Sequence, residues 1–205
     1  QVGNWLNYGN VNGYDFWGNG HSGERSPNGG EIKHTLIETM KEGLGEASLV
    51  TTAQWLDPSG KALMDERTIL HFQATGPIRI IDRVTTLTAT GSDTVRFNDT
   101  KEGMFGLRVA RQLELPGDEQ VEGNEAGNEN HVRLTGNYRS SEGISGEKVW
   151  STRAKWMNLY GTIADENISV VICDHPRNIN FPTYWHARGY GLFAANPLGA
   201  KDFTG

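Results

Sequence analysis

The chain has 205 residues, 36% of them hydrophobic, with 26 glycines against 7 prolines, which gives room for a real core and suits turn-rich β structure better than helices. A formal net charge of −6 offers no basic stripe for phosphates, which argues against a nucleic-acid partner. No apolar run reaches membrane-spanning length, and the one cysteine excludes an internal disulfide or a multi-cysteine metal cluster.

The chain opens on residues 4–17, where amides alternate with aromatic rings. Within this stretch Asn12 and Trp17 have the chemistry to meet a polyol, since an indole face stacks on a pyranose and an amide bonds its hydroxyls; the alternative, not exclusive of it, is a glycine-rich turn whose aromatics cover the edge of the core. Residues 7–30 are glycine-rich and read as a loop. Strand signals follow at 47–56, then a turn at Asp57-Pro58-Ser59-Gly60, then 61–73 and 78–90. Shorter candidates lie at 94–97, 107–115, 154–160, 168–173 and 190–195. No segment sustains a helical period with caps. The expected fold is therefore all-β, an antiparallel β-sandwich or super-sandwich, as a single domain over residues 1–205. The chain starts at Gln1 without an initiator Met and reads as a piece of a longer protein, incomplete at both ends. A polar, glycine-rich excursion is expected at about 116–146, with Asp118, Glu119, Glu122, Glu125 and Glu129 forming a solvated surface.

Two places hold side chains that do chemistry. At Asp99-Thr100-Lys101-Glu102-Gly103, a Lys-Glu pair sits at a turn, where Glu102 could work as a general base if partly buried. Taken alone, such a pair is a weak surface ion pair. The second place is the run 174–198, which packs Asp174, His175, Trp185, His186 and Arg188 among prolines and further aromatics. A stiff polar-aromatic loop after an apolar strand is a common carrier of a site in β-proteins. Asp174 with His175 could hold a metal, orient an acid or bond a sugar. The bland alternative has His186 and Arg188 bracing the loop against main-chain carbonyls. The histidine spacing fits no standard zinc motif, so the sequence requires no cofactor and assigns no metal ligand, although a divalent metal is compatible with it. Cys173, at the end of an apolar strand, is expected to be buried and inert.

Three stretches, in order, resemble a bacterial family. They are residues 9–17 (Gly-Asn-Val-Asn-Gly-Tyr-Asp-Phe-Trp), 99–108 (Asp-Thr-Lys-Glu-Gly-Met-Phe-Gly-Leu-Arg), and Asp174-His175-Pro176 continuing through Tyr184-Trp185-His186-Ala187-Arg188-Gly189-Tyr190-Gly191 to Pro197. That family usually carries the label "methane oxygenase PmoA", and the resemblance covers essentially the whole chain. Its members look like β-sandwich proteins without a membrane span, similar to the galactose mutarotase-like super-sandwich, and are often found with carbohydrate-degradation genes. The resemblance implies a sugar or glycoside as partner. It implies Glu102 as base with His175 or His186 as acid, while Asp174, Lys101 and Arg188 bind or orient hydroxyls. Trp17, Trp185 and Asn12 complete the expected set of sugar-binding side chains.

Three functions follow, in order of preference. The first is acid/base chemistry on a sugar (epimerisation, elimination or hydrolysis); the second is a carbohydrate-binding module without chemistry. The last is the metal-dependent oxygenase that the label suggests, which needs a redox metal on Asp174, His175, His186 or a pair of histidines that some members of the resembled family carry just upstream of the position of Gln1. A periplasmic or secreted setting is compatible with such a protein. Oligomeric state has no signature in the sequence.

Overall fold

The computed structural model describes residues 3–18, 27–117 and 132–199. Within them the fold is all-β, and the helical pieces are the short 3-10 turns Arg111–Leu113 and Gly146–Val149. The strands are β1 (Gly3–Tyr8), β2 (Glu31–Glu42), β3 (Glu46–Leu56), β4 (Ala62–Thr75), β5 (Ile78–Ala89), β6 (Gly103–Arg108), β7 (Asn137–Ser140), β8 (Trp156–Ile163), β9 (Glu166–Cys173), β10 (Tyr184–Ala187) and β11 (Leu192–Asn196). They form two compact units, one from Gln1–Gly9 with Asp99–Gly205, the other Asn10–Asn98.

The first unit is a β-sandwich. One sheet has the order β1-β6-β11-β10 and the other β7-β8-β9, and neighbouring strands in both run antiparallel. Strand side chains alternate between faces, so one face of each sheet supplies the core. Trp185, Ala187, Phe193 and Ala195 come from the four-stranded sheet, and Tyr138, Met157, Leu159 and Ile172 from the three-stranded one. The Tyr138 and Phe193 rings meet edge-on at 5.4 Å, a favoured aromatic geometry. The opposite face of the four-stranded sheet carries polar side chains, among them Asn7, His186 and Asn196.

The second unit is a meander of long strands in the order β2-β3-β4-β5. Its turn at Asp57-Pro58-Ser59-Gly60 is held by the Asp57 carboxylate, which accepts from the main-chain N–H of Ser59 and of Lys61. Trp55 is fully buried, with Phe16 at 4.9 Å and Phe97 at 6.4 Å between ring centroids. The Trp55 indole donates to Glu66, which also takes Thr68 and Arg83.

Several details depart from the sequence reading. The expected strand at 107–115 starts earlier, as β6, and gives way after Arg108 to the turn Arg111–Leu113. Residues 94–97 contribute an isolated bridge from Phe97 to Val11 rather than a strand. β2 is masked in the sequence by its polarity and by register shifts at His34/Leu36 and Ile37/Thr39, which break the period of two. Within the expected excursion at 116–146, the described part holds β7, while Asp118, Glu119, Glu122, Glu125 and Glu129 lie outside the described residues. Cys173 is exposed: its neighbour Ile172 takes the inward position, and strict alternation turns the thiol outward.

Candidate functional site

The candidate site is the face of β1-β6-β11-β10 that points away from the core of its own sandwich. Register fixes its centre: His186 lies opposite Ala194, Ala194 opposite Gly106, and Gly106 opposite Trp5. Directly opposed residues share a face. The small residues in the middle of this row let a large ring lie across it. A Cβ placed on Gly106 would sit 2.7 Å from the Trp5 indole, so the ring occupies the space a side chain would need. Two residues along each strand, and so on the same face, come Asn7, Asn196 and Tyr184 in one direction and Arg108 in the other.

The turn preceding β6 closes one end of this face. Asn196 donates through Nδ2 to the carbonyls of Thr100 (2.8 Å) and Lys101 (3.1 Å), and its Oδ1 accepts from Gly199 N–H. Gly9 N–H donates to the Glu102 carbonyl at 2.7 Å. The Glu102 side chain rests on Gly9, where an added Cβ would meet Glu102 Cβ at 3.0 Å and Oε2 at 3.3 Å. Burial, then the Asp99 charge, push the Tyr8 phenol up to about 12, against a smaller opposing hydrogen bond from the Thr100 main chain. The segment Asp99 to Gly103 is thereby clamped by residues from β1 and β11.

His186 joins this clamp from β10. Only 3% of it is exposed. Burial first, then the charges of Arg188 and Lys101, hold its pKa down at about 4. The one opposing influence is a hydrogen bond to the Lys101 main chain. A bond that favours the protonated ring must go to the carbonyl, so His186 donates there. Near neutral pH the imidazole is uncharged, with one ring N–H given to that carbonyl. As an uncharged ring of lowered basicity it can hydrogen-bond a hydroxyl, and it holds no imidazolium proton to give.

Asn7 adds the least expected feature. It is 8% exposed, and its amide oxygen has no hydrogen-bond partner among the described residues. A buried acceptor left unpaired costs roughly 1–3 kcal/mol, so its presence calls for a donor from elsewhere. At the far end of the face the guanidinium of Arg188 lies over Trp150, 4.6 Å from the ring centroid, and Arg108 donates to the Tyr190 carbonyl at 3.1 Å.

The residues expected from sequence divide accordingly. Glu102, Lys101, His186 and Arg188 belong to this face or its closing turn. Trp185 is fully buried, and its indole N–H is bonded to the Ala154 carbonyl, so it is a core side chain with no ring face open to a ligand. Alternation explains the correction: His186 and Trp185 are adjacent in one strand and must point to opposite faces. Asp174 braces its own loop, with one oxygen on Asn178 Nδ2 and the other on Thr183 N–H, each at 2.8 Å. His175 is exposed and accepts Arg177 N–H at Nδ1. Asn12 and Trp17 belong to the other unit. There Asn12 takes a positive φ of 54° and spends its amide on the main chain of Thr94 and Arg96, while the Trp17 main-chain N–H donates to the Asp15 carboxylate. Sequence reasoning misses Asn7 and Trp5 as partners of one face. The available signal is the alternation in Gly3–Tyr8, which puts Trp5 and Asn7 on one side and Leu6 on the other.

Among the described residues no three His, Cys, Asp or Glu side chains gather as a metal-holding group. A groove of about 430 Å³ lies elsewhere, on the second unit, lined by threonines with Asp65 and Arg67 and without an aromatic ring. No described helix is long and apolar enough to cross a membrane.

The chain belongs to a family of unknown function (DUF6807), whose profile matches residues 1–205. No curated protein and no solved structure matches it.

Proposed function

We propose that this family member acts on a sugar or glycoside at the face of β1-β6-β11-β10 turned away from the sandwich core, with Glu102 taking the proton and His186 positioning a hydroxyl. One observation carries the reading: the buried Asn7 amide oxygen lacks a donor on the same face as the Trp5 ring and the His186 imidazole. A sugar supplies what that face asks for, a hydroxyl for the orphan acceptor and an apolar ring face for the indole. The resemblance to proteins labelled methane oxygenase PmoA, with their mutarotase-like sandwich, points the same way by analogy.

In this reading Trp5 stacks on the sugar ring, and Asn7 accepts from one of its hydroxyls. The Glu102 carboxylate takes a proton as base. Uncharged His186 accepts a second hydroxyl and positions it, which revises the acid role that the resemblance implies. Lys101 and Arg188 place positive charge near oxygens that become negative during reaction.

A proton NMR time course over mixed sugars and glycosides tests the proposal. Wild-type conversion that disappears in Glu102→Gln, and a saturation-transfer signal from the sugar that disappears in Asn7→Leu, are expected. Conversion untouched by both substitutions would overturn it. A second reading, a binding module without chemistry, draws on the uncharged state of His186. It predicts sugar binding that Asn7→Leu abolishes and Glu102→Gln leaves intact, with no turnover in either protein.

A further inference from the structure

We propose that the outer face of β7-β8-β9 is a second, separate glycan site, built to hold an extended oligosaccharide of uncharged sugars. This inference does not depend on the first site, which lies on the other sheet of the sandwich.

Side chains alternate strictly along β8. Met157 and Leu159 point into the core, whereas Trp156, Asn158 and Tyr160 point outward. Trp156 is 37% and Tyr160 39% exposed, and four residues at strand rise place them about 13 Å apart. That span exceeds one sugar ring, so the pair suits a chain rather than a monosaccharide. Between the rings sits Asn158, whose amide oxygen accepts from Ser169 Oγ at 2.7 Å. The amide is thus held in place between two stacking platforms.

Beside Tyr160 a groove of about 360 Å³ opens, lined by Thr135, Thr162, Asn167 and Ser169. Hydroxyls and amides next to exposed rings are the donor and acceptor set that sugar hydroxyls need. Charge argues for the kind of ligand. The chain carries a formal net charge of −6, yet among the outward positions of these three strands the charged side chain is Arg139. An anionic partner would need more cations, and a basic one would need carboxylates. A protein partner requires continuous apolar surface at the centre of its interface. Val171 offers a little, but Asn158, Ser169 and Arg139 interrupt it.

Cys173 supplies a reporter. It lies directly opposite Trp156 in the sheet and is exposed, so a chain bound across Trp156 covers the thiol. The experiment uses the full chain with the hexaoses of glucose, xylose and mannose in β-1,4 linkage, beside the corresponding monosaccharides, followed by calorimetry and by the rate of Cys173 alkylation. At least one hexaose should bind more tightly than its monosaccharide and slow the alkylation. Trp156→Ala and Tyr160→Ala should each weaken binding by roughly ten-fold or more, the loss typical of an aromatic anchor, with Trp156→Phe less affected. In Asn7→Leu the hexaose should slow Cys173 alkylation as much as it does in the wild type. The proposal is overturned by failure of all three hexaoses to bind, by binding that leaves Cys173 alkylation unaltered, or by binding lost in Asn7→Leu and kept in Trp156→Ala. Self-association that Trp156→Ala abolishes, without hexaose binding, would also overturn it by assigning the face to a second copy.

Discussion

An imidazole buried beside two cations titrates far from where a surface histidine does, and His186 makes that measurable. Its folded-state pKa of about 4 lies below the unfolded value of 6.5, so between those values the unfolded chain binds more protons. The stability contributed by the uncharged ring is complete above the unfolded value and is lost as pH falls through the folded one. Its size is about 3 kcal/mol at one pKa unit per ~1.4 kcal/mol. Urea unfolding at a series of pH values should show this loss between about 6.5 and 4, and His186→Gln should remove that part of the slope. Equal slopes in the two proteins would mean that His186 is not held uncharged by burial and by Arg188 and Lys101.

At the scale of strands, the site depends on what Gly106 lacks. Gly106→Ala should drive the Trp5 indole off the row, because the new Cβ would stand 2.7 Å from it. We expect a shifted Trp fluorescence spectrum and no saturation transfer to the sugar, while far-UV circular dichroism stays as in the wild type. An unchanged fluorescence spectrum with saturation transfer retained would place Trp5 elsewhere. The same scale explains what is legible without coordinates. The strand-rich class follows from β-branched runs such as those of β3 and β5, whose pattern is local. Glu102 and His186 are legible as reactive side chains, but the approach of His186 to the Lys101 main chain beside Glu102 is not, because it depends on β10 pairing with β11 and on Asn196 reaching back to Thr100 and Lys101. Trp185 escapes sequence reasoning for a related cause: composition cannot tell neighbours on opposite faces apart. In the second unit, the strand pair β4-β5 offers a sharper test of burial. Glu66 is 7% exposed and takes Trp55, Thr68 and Arg83 together. Arg83→Met should cost about 3–5 kcal/mol in denaturant unfolding by stranding that carboxylate, and adding Glu66→Gln should recover part of the loss. No recovery would locate the effect in lost packing instead.

Among the described residues both units leave apolar side chains exposed, the sandwich unit at Trp156, Tyr160, Val171, Ile179 and Tyr190, but they are more numerous in the meander unit. The sandwich unit turns one face of each sheet inward and keeps large side chains such as Trp185, Tyr138 and Met157 fully covered. The meander unit covers Trp55 and Met64 but leaves Met40 at 76% and Ile81 at 53% exposed, with Ile37, Ile78, Ile80 and Val84 also exposed. Its register puts Met40 level with Leu49, Leu70 and Arg83, and the next row on that face holds the pair Phe72 and Ile81, so Met40 and Ile81 flank one apolar row, while Ile78, Ile80 and Val84 lie on the opposite face. Clustered apolar area of this kind binds hydrophobic probes and favours association, whereas isolated exposed residues do neither. Because those side chains are already in water, replacing them removes little burial, and surface changes of this sort usually stay within about 0.5 kcal/mol. Met40→Lys with Ile81→Lys should therefore leave the melting temperature nearly unchanged while lowering dye binding by a hydrophobic fluorescent probe and the light scattering of concentrated solutions. A large fall in melting temperature would show instead that these residues are covered in the folded protein, and the apolar cluster would then count as core.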